Sequence, residues 1–141
     1  MRRLIILPLL LLLSLSVWAQ EEALSFVGMT VAQLIERFGA PVTVAAARGN
    51  ELWQDDVVFQ YAGGDFYVFR DRVWQVRLDS AFGISNGDPK AAVLLIFGDT
   101  AKDMGDHVQM PVSGRNWALE LRVNFNNTGN VSAIFLYRPD F

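Results

Sequence analysis

Apolar and polar residues alternate along this chain with two different periods, and the switch between them happens twice. In the first stretch Val31, Leu34, Ile35 and Phe38 fall at i, i+3, i+4 and i+7, one face of a helix, with Gln33, Glu36 and Arg37 on the other. Thr30 followed by Gln33 is a capping-box pattern; Gly39 suits a left-handed helix stop, and Pro41 forbids continuation. Residues 42–52 are small and mixed and end in the turn Arg48-Gly49-Asn50. From Asp56 the period becomes two. Val57, Phe59 and Tyr61 share one face of a strand, and Gly63-Gly64 signals a hairpin. Phe66 to Arg70 is the return strand, Asp71-Arg72 the next turn, and Val73 to Asp79 a third strand carrying Trp74, Val76 and Leu78 on one face.

The same plan then returns. Gly28-Met29-Thr30 through Phe38-Gly39-Ala40-Pro41 corresponds to Gly87-Asp88-Pro89 through Phe97-Gly98-Asp99-Thr100, with the bounding glycines eleven residues apart in both copies. Asp88 is the expected cap, with Pro89 at the first helical position. Thr100 to Gly105 reads as a polar loop and His107 to Val112 as a short strand, with Pro111 favouring a sheet edge. Trp117 to Phe125 is a long strand, with Leu119, Leu121, Val123 and Phe125 facing in and Glu120, Arg122 and Asn124 facing out. After the turn Asn126–Asn130, Val131 to Tyr137 closes the pattern, Ile134 and Leu136 matching Val76 and Leu78. The expected fold is therefore α+β. Two tandem units, residues 20–82 and 83–141, each contribute a short helical segment and a three-stranded antiparallel meander. The units share one core, with the helices on one face of the sheet.

The two helices differ in one respect. Gln33, Glu36 and Arg37 of the first become Ala92, Leu95 and Ile96 in the second. A helix apolar all round is covered on both sides, so it is expected to sit between its own sheet and the other half. The competing reading makes Leu95 and Ile96 part of a partner surface.

Arg2 and Arg3, the apolar run Leu4 to Leu15, and small residues at Val17 and Ala19 form a secretory leader, residues 1–19, cleaved after Ala19. The competing reading is a retained membrane anchor. The formal net charge is −3, and loss of the leader's two arginines makes the remainder more acidic. That balance argues against nucleic acid and anionic lipid as partners. The chain has no cysteine, hence no disulfide, thiolate metal site, cysteine nucleophile or cysteine lipid anchor. The expected location is periplasmic or secreted, with no membrane insertion after cleavage.

The phrase Gly-Met-Thr at 28–30, Leu34-Ile35 and Phe38-Gly39-Ala40-Pro41, followed by a meander, resembles the BamE (SmpA) family of outer-membrane assembly lipoproteins. Two such units in tandem look like the β-lactamase inhibitory protein fold. The resemblance implies helical segments packed on an antiparallel sheet, acting by binding other proteins. The chain departs from BamE in lacking the anchor cysteine and in having two units.

Catalytic chemistry finds little support. His107, the one histidine, lies near Asp99, Asp103 and Asp106, but the spacing fits no metal signature. Asp55 and Asp56 are adjacent strand residues and point to opposite faces, so they do not converge as an acid–base pair. No Gly-x-Ser-x-Gly elbow is present, and Gly63-Gly64 precedes no helix that would make it a phosphate loop. No catalytic residue, metal or cofactor is expected.

The aromatic residues carry more. Tyr67 and Phe69 face opposite to Phe66 and Val68, and Phe135 and Tyr137 opposite to Ile134 and Leu136. A sheet with helices on one side needs one apolar face, so its second face is either covered or used for binding. Tyr67, Phe69, Gln75, Arg77, Arg122 and Phe135 are the candidate protein-binding residues on that face, because Arg and Tyr are frequent interface anchors. The expected function is a non-enzymatic protein-binding module serving the cell envelope or inhibiting another protein. The alternative is a small-ligand carrier or enzyme using a cleft between the two units. The sequence leaves the partner and the oligomeric state open. Intact-mass measurement of the native protein should give a chain starting at Gln20. A mass that retains Met1 to Ala19 would establish the anchored form instead.

Overall fold

A computed structural model describes residues 20, 22–49, 51–114 and 116–141. The leader, 1–19, lies outside the described residues, as does Asn50 of the expected 48–50 turn. The helices are α1 (22–26), α2 (Val31–Phe38) and α3 (Lys90–Phe97). The strands are β1 (Thr43–Arg48), β2 (Asp55–Tyr61), β3 (Gly64–Phe69), β4 (Arg72–Leu78), β5 (Ser80–Ala81), β6 (Ile84–Ser85), β7 (Lys102–Asp103), β8 (His107–Ser113), β9 (Ala118–Phe125) and β10 (Val131–Tyr137). None of the described helices is long and apolar enough to cross a membrane.

The α+β class holds, but the layer is one sheet rather than two three-stranded units. Eight strands run in the order β1-β2-β3-β4-β10-β9-β8-β7, all antiparallel, and β5-β6 is a separate small hairpin. Two strands beyond those expected extend it. Residues 42–52 are not irregular: Thr43 to Arg48 pairs with β2 as the outermost strand. Its alanines carry little strand preference, and its side chains are mostly exposed. At the other edge Lys102 and Asp103 pair with the start of β8 only, so Pro111 sits where no outer strand needs its missing N–H.

The repeated segment does leave a structural mark. The Gly28 N–H donates to Val73 O at 2.7 Å and the Val73 N–H to Met29 O at 2.9 Å, which pins the start of α2 to β4. In the second copy the Gly87 N–H donates to Val131 O and the Val131 N–H to Asp88 O, both at 2.8 Å, which pins the start of α3 to β10. Gly28 has φ +92°, and a side chain there would run into the Trp117 ring, so glycine is required on both counts.

Helix α2 has the expected capping box. Thr30 accepts from the Gln33 N–H and Gln33 from the Thr30 N–H, while Asp71 of the β3–β4 turn accepts from the Val31 N–H. At its end the Gly39 N–H closes on Ile35 O at 2.7 Å. Helix α3 starts differently from expectation. Pro89 is itself the cap residue and makes no side-chain cap bond, while Asp88 accepts from the Ser85 N–H.

A single core runs through both halves. Leu34 and Val93 are fully buried under α2 and α3, against Phe66, Val76, Leu78, Leu121, Val123, Ile134 and Leu136 from the central strands. Across the β4–β10 seam Ile134 lies opposite Leu78, and Leu136 opposite Val76. Helix α3 is not sandwiched as expected: Leu95 is 86% exposed and Ile96 50%. With eight strands in one layer, the other half lies beside α3's part of the sheet rather than over the helix.

The seam sets a prediction. Leu136→Ala should cost about 2–5 kcal/mol in urea unfolding, whereas Leu95→Ala should stay within about 0.5 kcal/mol of wild type. Equal costs at the two positions would contradict this division between core and surface.

Candidate binding face

Strand alternation gives the sheet a second face, and among the described residues no helix covers it. On β3, β4, β9 and β10 the residues Tyr67, Gln75, Arg77, Glu120, Arg122, Phe135 and Tyr137 are all partly buried, while their neighbours Phe66, Val76, Leu121, Ile134 and Leu136 are fully buried on the helix side. Tyr67 lies opposite Gln75, Gln75 opposite Tyr137, and Phe135 opposite both Arg77 and Arg122. Four of the six expected residues, Tyr67, Gln75, Arg122 and Phe135, line one open hollow of about 430 Å³ together with Asn124 and Tyr137. The hollow straddles the β4–β10 seam.

The other two expected residues do not line it. Arg77 is held by Asp65, its Nε donating to Oδ2 at 2.8 Å, with Asp79 at 3.5 Å. Phe69 belongs to an aromatic group at one end of the face, its ring centroid 5.5 Å from Trp53 and 5.8 Å from Phe141. Trp74 joins that group, stacked on Phe141 at 5.9 Å and 9°. Its expected place in the main core is wrong. A bulge between Tyr67 and Val68 leaves Trp74 as the extra residue of β4, and it is buried apart from the main core.

Beneath these rings is a small polar interior. Gln54 and Asp56 are 0% and 2% exposed, and the Gln54 amide donates to Asp56 at 3.0 Å. Burial raises the Asp56 pKa, opposed by Gln54 and by the nearby Trp74 indole. Among the described residues Gln54 Oε1 and Trp74 Nε1 have no partner at full hydrogen-bond geometry. Asp55, by contrast, is exposed and pairs with Arg48 at 3.1 Å. The second face is thus covered at one end and open in the middle.

The open part is ordered by polar contacts. Tyr137 Oη donates to Glu120 Oε2 at 2.7 Å, and Gln109 donates both to Tyr137 at 2.9 Å and to Glu120. Arg122 Nε donates to Asn124 Oδ1 at 2.8 Å. Burial raises the pKa of Tyr67; Tyr137 is pushed up to about 12, by burial first and then by the Glu120 carboxylate it bonds. Both phenols therefore remain hydrogen-bond donors at neutral pH. The sequence reading missed Tyr137 and Asn124 as lining residues, although Tyr137 shares the outward parity of Phe135.

The loop around His107 is organised otherwise. Its Nδ1 lies 2.7 Å from Asp106, while Asp103 accepts from Lys90 at 2.7 Å and from the Gly105 N–H. Among the described residues no three His, Asp or Glu converge on a metal position.

No family model matches this chain, and no curated protein does. It is similar to the crystal structure of an extracellular protein containing a SCP domain from Bacillus anthracis str. Ames, with a TM-score of 0.56 and 11% identity. The match covers 83% of this chain but 45% of that one, so this chain spans under half of that protein's length. At this identity the likeness is one of fold. It overturns the resemblance to BamE and to the β-lactamase inhibitory protein. The motif behind that resemblance consists of turn, cap and helix-stop residues, which many helix starts share.

Tyr137 supplies a spectroscopic test of this face. Its phenol ionises near 10.0 when unperturbed and is pushed up to about 12 in the fold. Its stabilising contribution is complete below pH 10.0 and is lost as pH climbs through about 12. Tyr137→Phe should flatten the fall in stability across that window, and Glu120→Gln should lower the Tyr137 pKa. A tyrosinate absorbance titration that shows Tyr137 ionising near its ordinary value would contradict the network.

Proposed function

We propose that the chain is an exported, non-enzymatic protein-binding module that works through the helix-free face of its sheet. The observation that carries this reading is the hollow over the seam. It gathers Tyr67, Phe135, Tyr137, Gln75, Asn124 and Arg122 on the central strands, with no covering element among the described residues. Aromatic and Arg side chains on a stiff support bury much area on binding and lose little conformational freedom. The leader pattern of residues 1–19 supports export, and the matched solved protein is itself described as extracellular. Service in envelope assembly or inhibition of another protein both fit such a module. The acidic net charge of −3 speaks against nucleic acid.

A second reading has its own observation. An apolar groove of about 550 Å³ opens between α1, the end of α2 and the β5–β6 hairpin, lined by Phe26, Phe38, Tyr61, Phe66 and Phe82. Its size and lining suit a small-ligand carrier.

Tyr67→Ala and Phe135→Ala should each weaken capture of the partner from an envelope extract by about 1–2 kcal/mol and leave the melting temperature nearly unchanged. Sharp destabilisation by both would make these residues structural. A large thermal shift with an apolar metabolite, and no protein captured, would favour the carrier.

A further inference from the structure

We infer that the hollow takes a carboxylate side chain presented by the partner protein, with Arg122 as its counter-ion; this rests on the protein-binding reading above. Arg122 stands on β9, one strand from the seam, and is partly buried. Its Nε is committed to Asn124 Oδ1 at 2.8 Å, which fixes the plane of the guanidinium. Among the described residues no carboxylate lies within 4.0 Å of it.

The neighbouring charged side chains have hydrogen-bond partners of their own. Arg77 is held by Asp65 and Asp79. Glu120 accepts from Tyr137 and Gln109, and Asp106 is bonded to His107. Arg122 is the charged residue among those lining the hollow, and among the described residues it forms no ion pair. A partly desolvated guanidinium gains most from an anion that takes two parallel hydrogen bonds, the geometry of a carboxylate. A phosphate group fits less well: it brings nearly two negative charges to one cation, two residues from Glu120 on the same strand. The remaining lining suits a side chain rather than a free ion. Tyr67 keeps its phenol proton, Gln75 and Asn124 offer amides, and Phe135 gives an apolar wall.

The test uses the whole ¹⁵N-labelled protein and two capped peptides, Ac-Gly-Ser-Glu-Phe-Ser-Gly-NH₂ and its Glu-to-Gln counterpart, with free glutarate as a third arm. The Glu peptide should shift the Arg122 Nε–H signal and the side-chain amides of Gln75 and Asn124. It should bind at least tenfold more tightly than the Gln peptide, and Arg122→Gln should bring the two level. Equal binding of both peptides to the wild type overturns the inference, and needs no variant to fold. Shifts confined to residues away from the hollow overturn it too, as does glutarate binding as tightly as the Glu peptide. The two levels separate cleanly. Loss of partner capture in Tyr67→Ala with no charge preference at Arg122 leaves the binding face standing and removes the carboxylate. A charge preference at Arg122 with capture untouched by Tyr67→Ala does the reverse.

Discussion

The pairing of β4 with β10 is the contact on which the rest of this structure depends. It joins strands more than fifty residues apart in sequence and turns two four-stranded ribbons into one sheet of eight. On one side it brings Val76 and Leu78 against Leu136 and Ile134, under helices that could not bury their own apolar faces alone. On the other it brings Gln75 and Arg77 against Tyr137 and Phe135. Core and candidate binding surface are thus the two parities of one register. A slip by one residue would exchange them.

Much of this was legible in the sequence because period and punctuation are local signals. The capping box at Thr30, the helix stop at Gly39 and the alternation along β9 each need only a few residues of context. What stayed hidden depends on partners distant in the chain. Strand β1 is held by backbone pairing to β2, and no side-chain pattern in Thr43–Arg48 announces that. The bulge that turns Trp74 away from the core arises where β3 and β4 fall out of step. Leu95 and Ile96 looked like core because composition cannot tell a helix flanked by a sheet from a helix between two layers. The repeated phrase does not make two separate meanders; what it marks in space is the clamp of Gly28 and Gly87 onto Val73 and Val131.

For the candidate face, parity identified Tyr67, Gln75, Arg122 and Phe135, all of which line the hollow. Parity alone could not say which outward residues were already spent. Phe69 packs with Trp53 and Phe141, and Arg77 is locked to Asp65; both are outward and neither is free. The distinction is one of local satisfaction. A side chain whose polar atoms or ring faces are matched within the fold has little left for a partner, and Arg122 differs from Arg77 in that respect.

The position of β10 also bears on how the chain comes to be folded. It is the last strand in sequence, yet it occupies the middle of the sheet. Until it arrives, β4 and β9 present bare backbone and apolar side chains with nothing between them. The eight-stranded sheet therefore closes late, once β10 has been made. A nascent protein of this topology stays open for longer than one whose strands pair in order of synthesis. On the proposal that the leader exports the chain, such a delay would leave it unfolded for passage across the membrane.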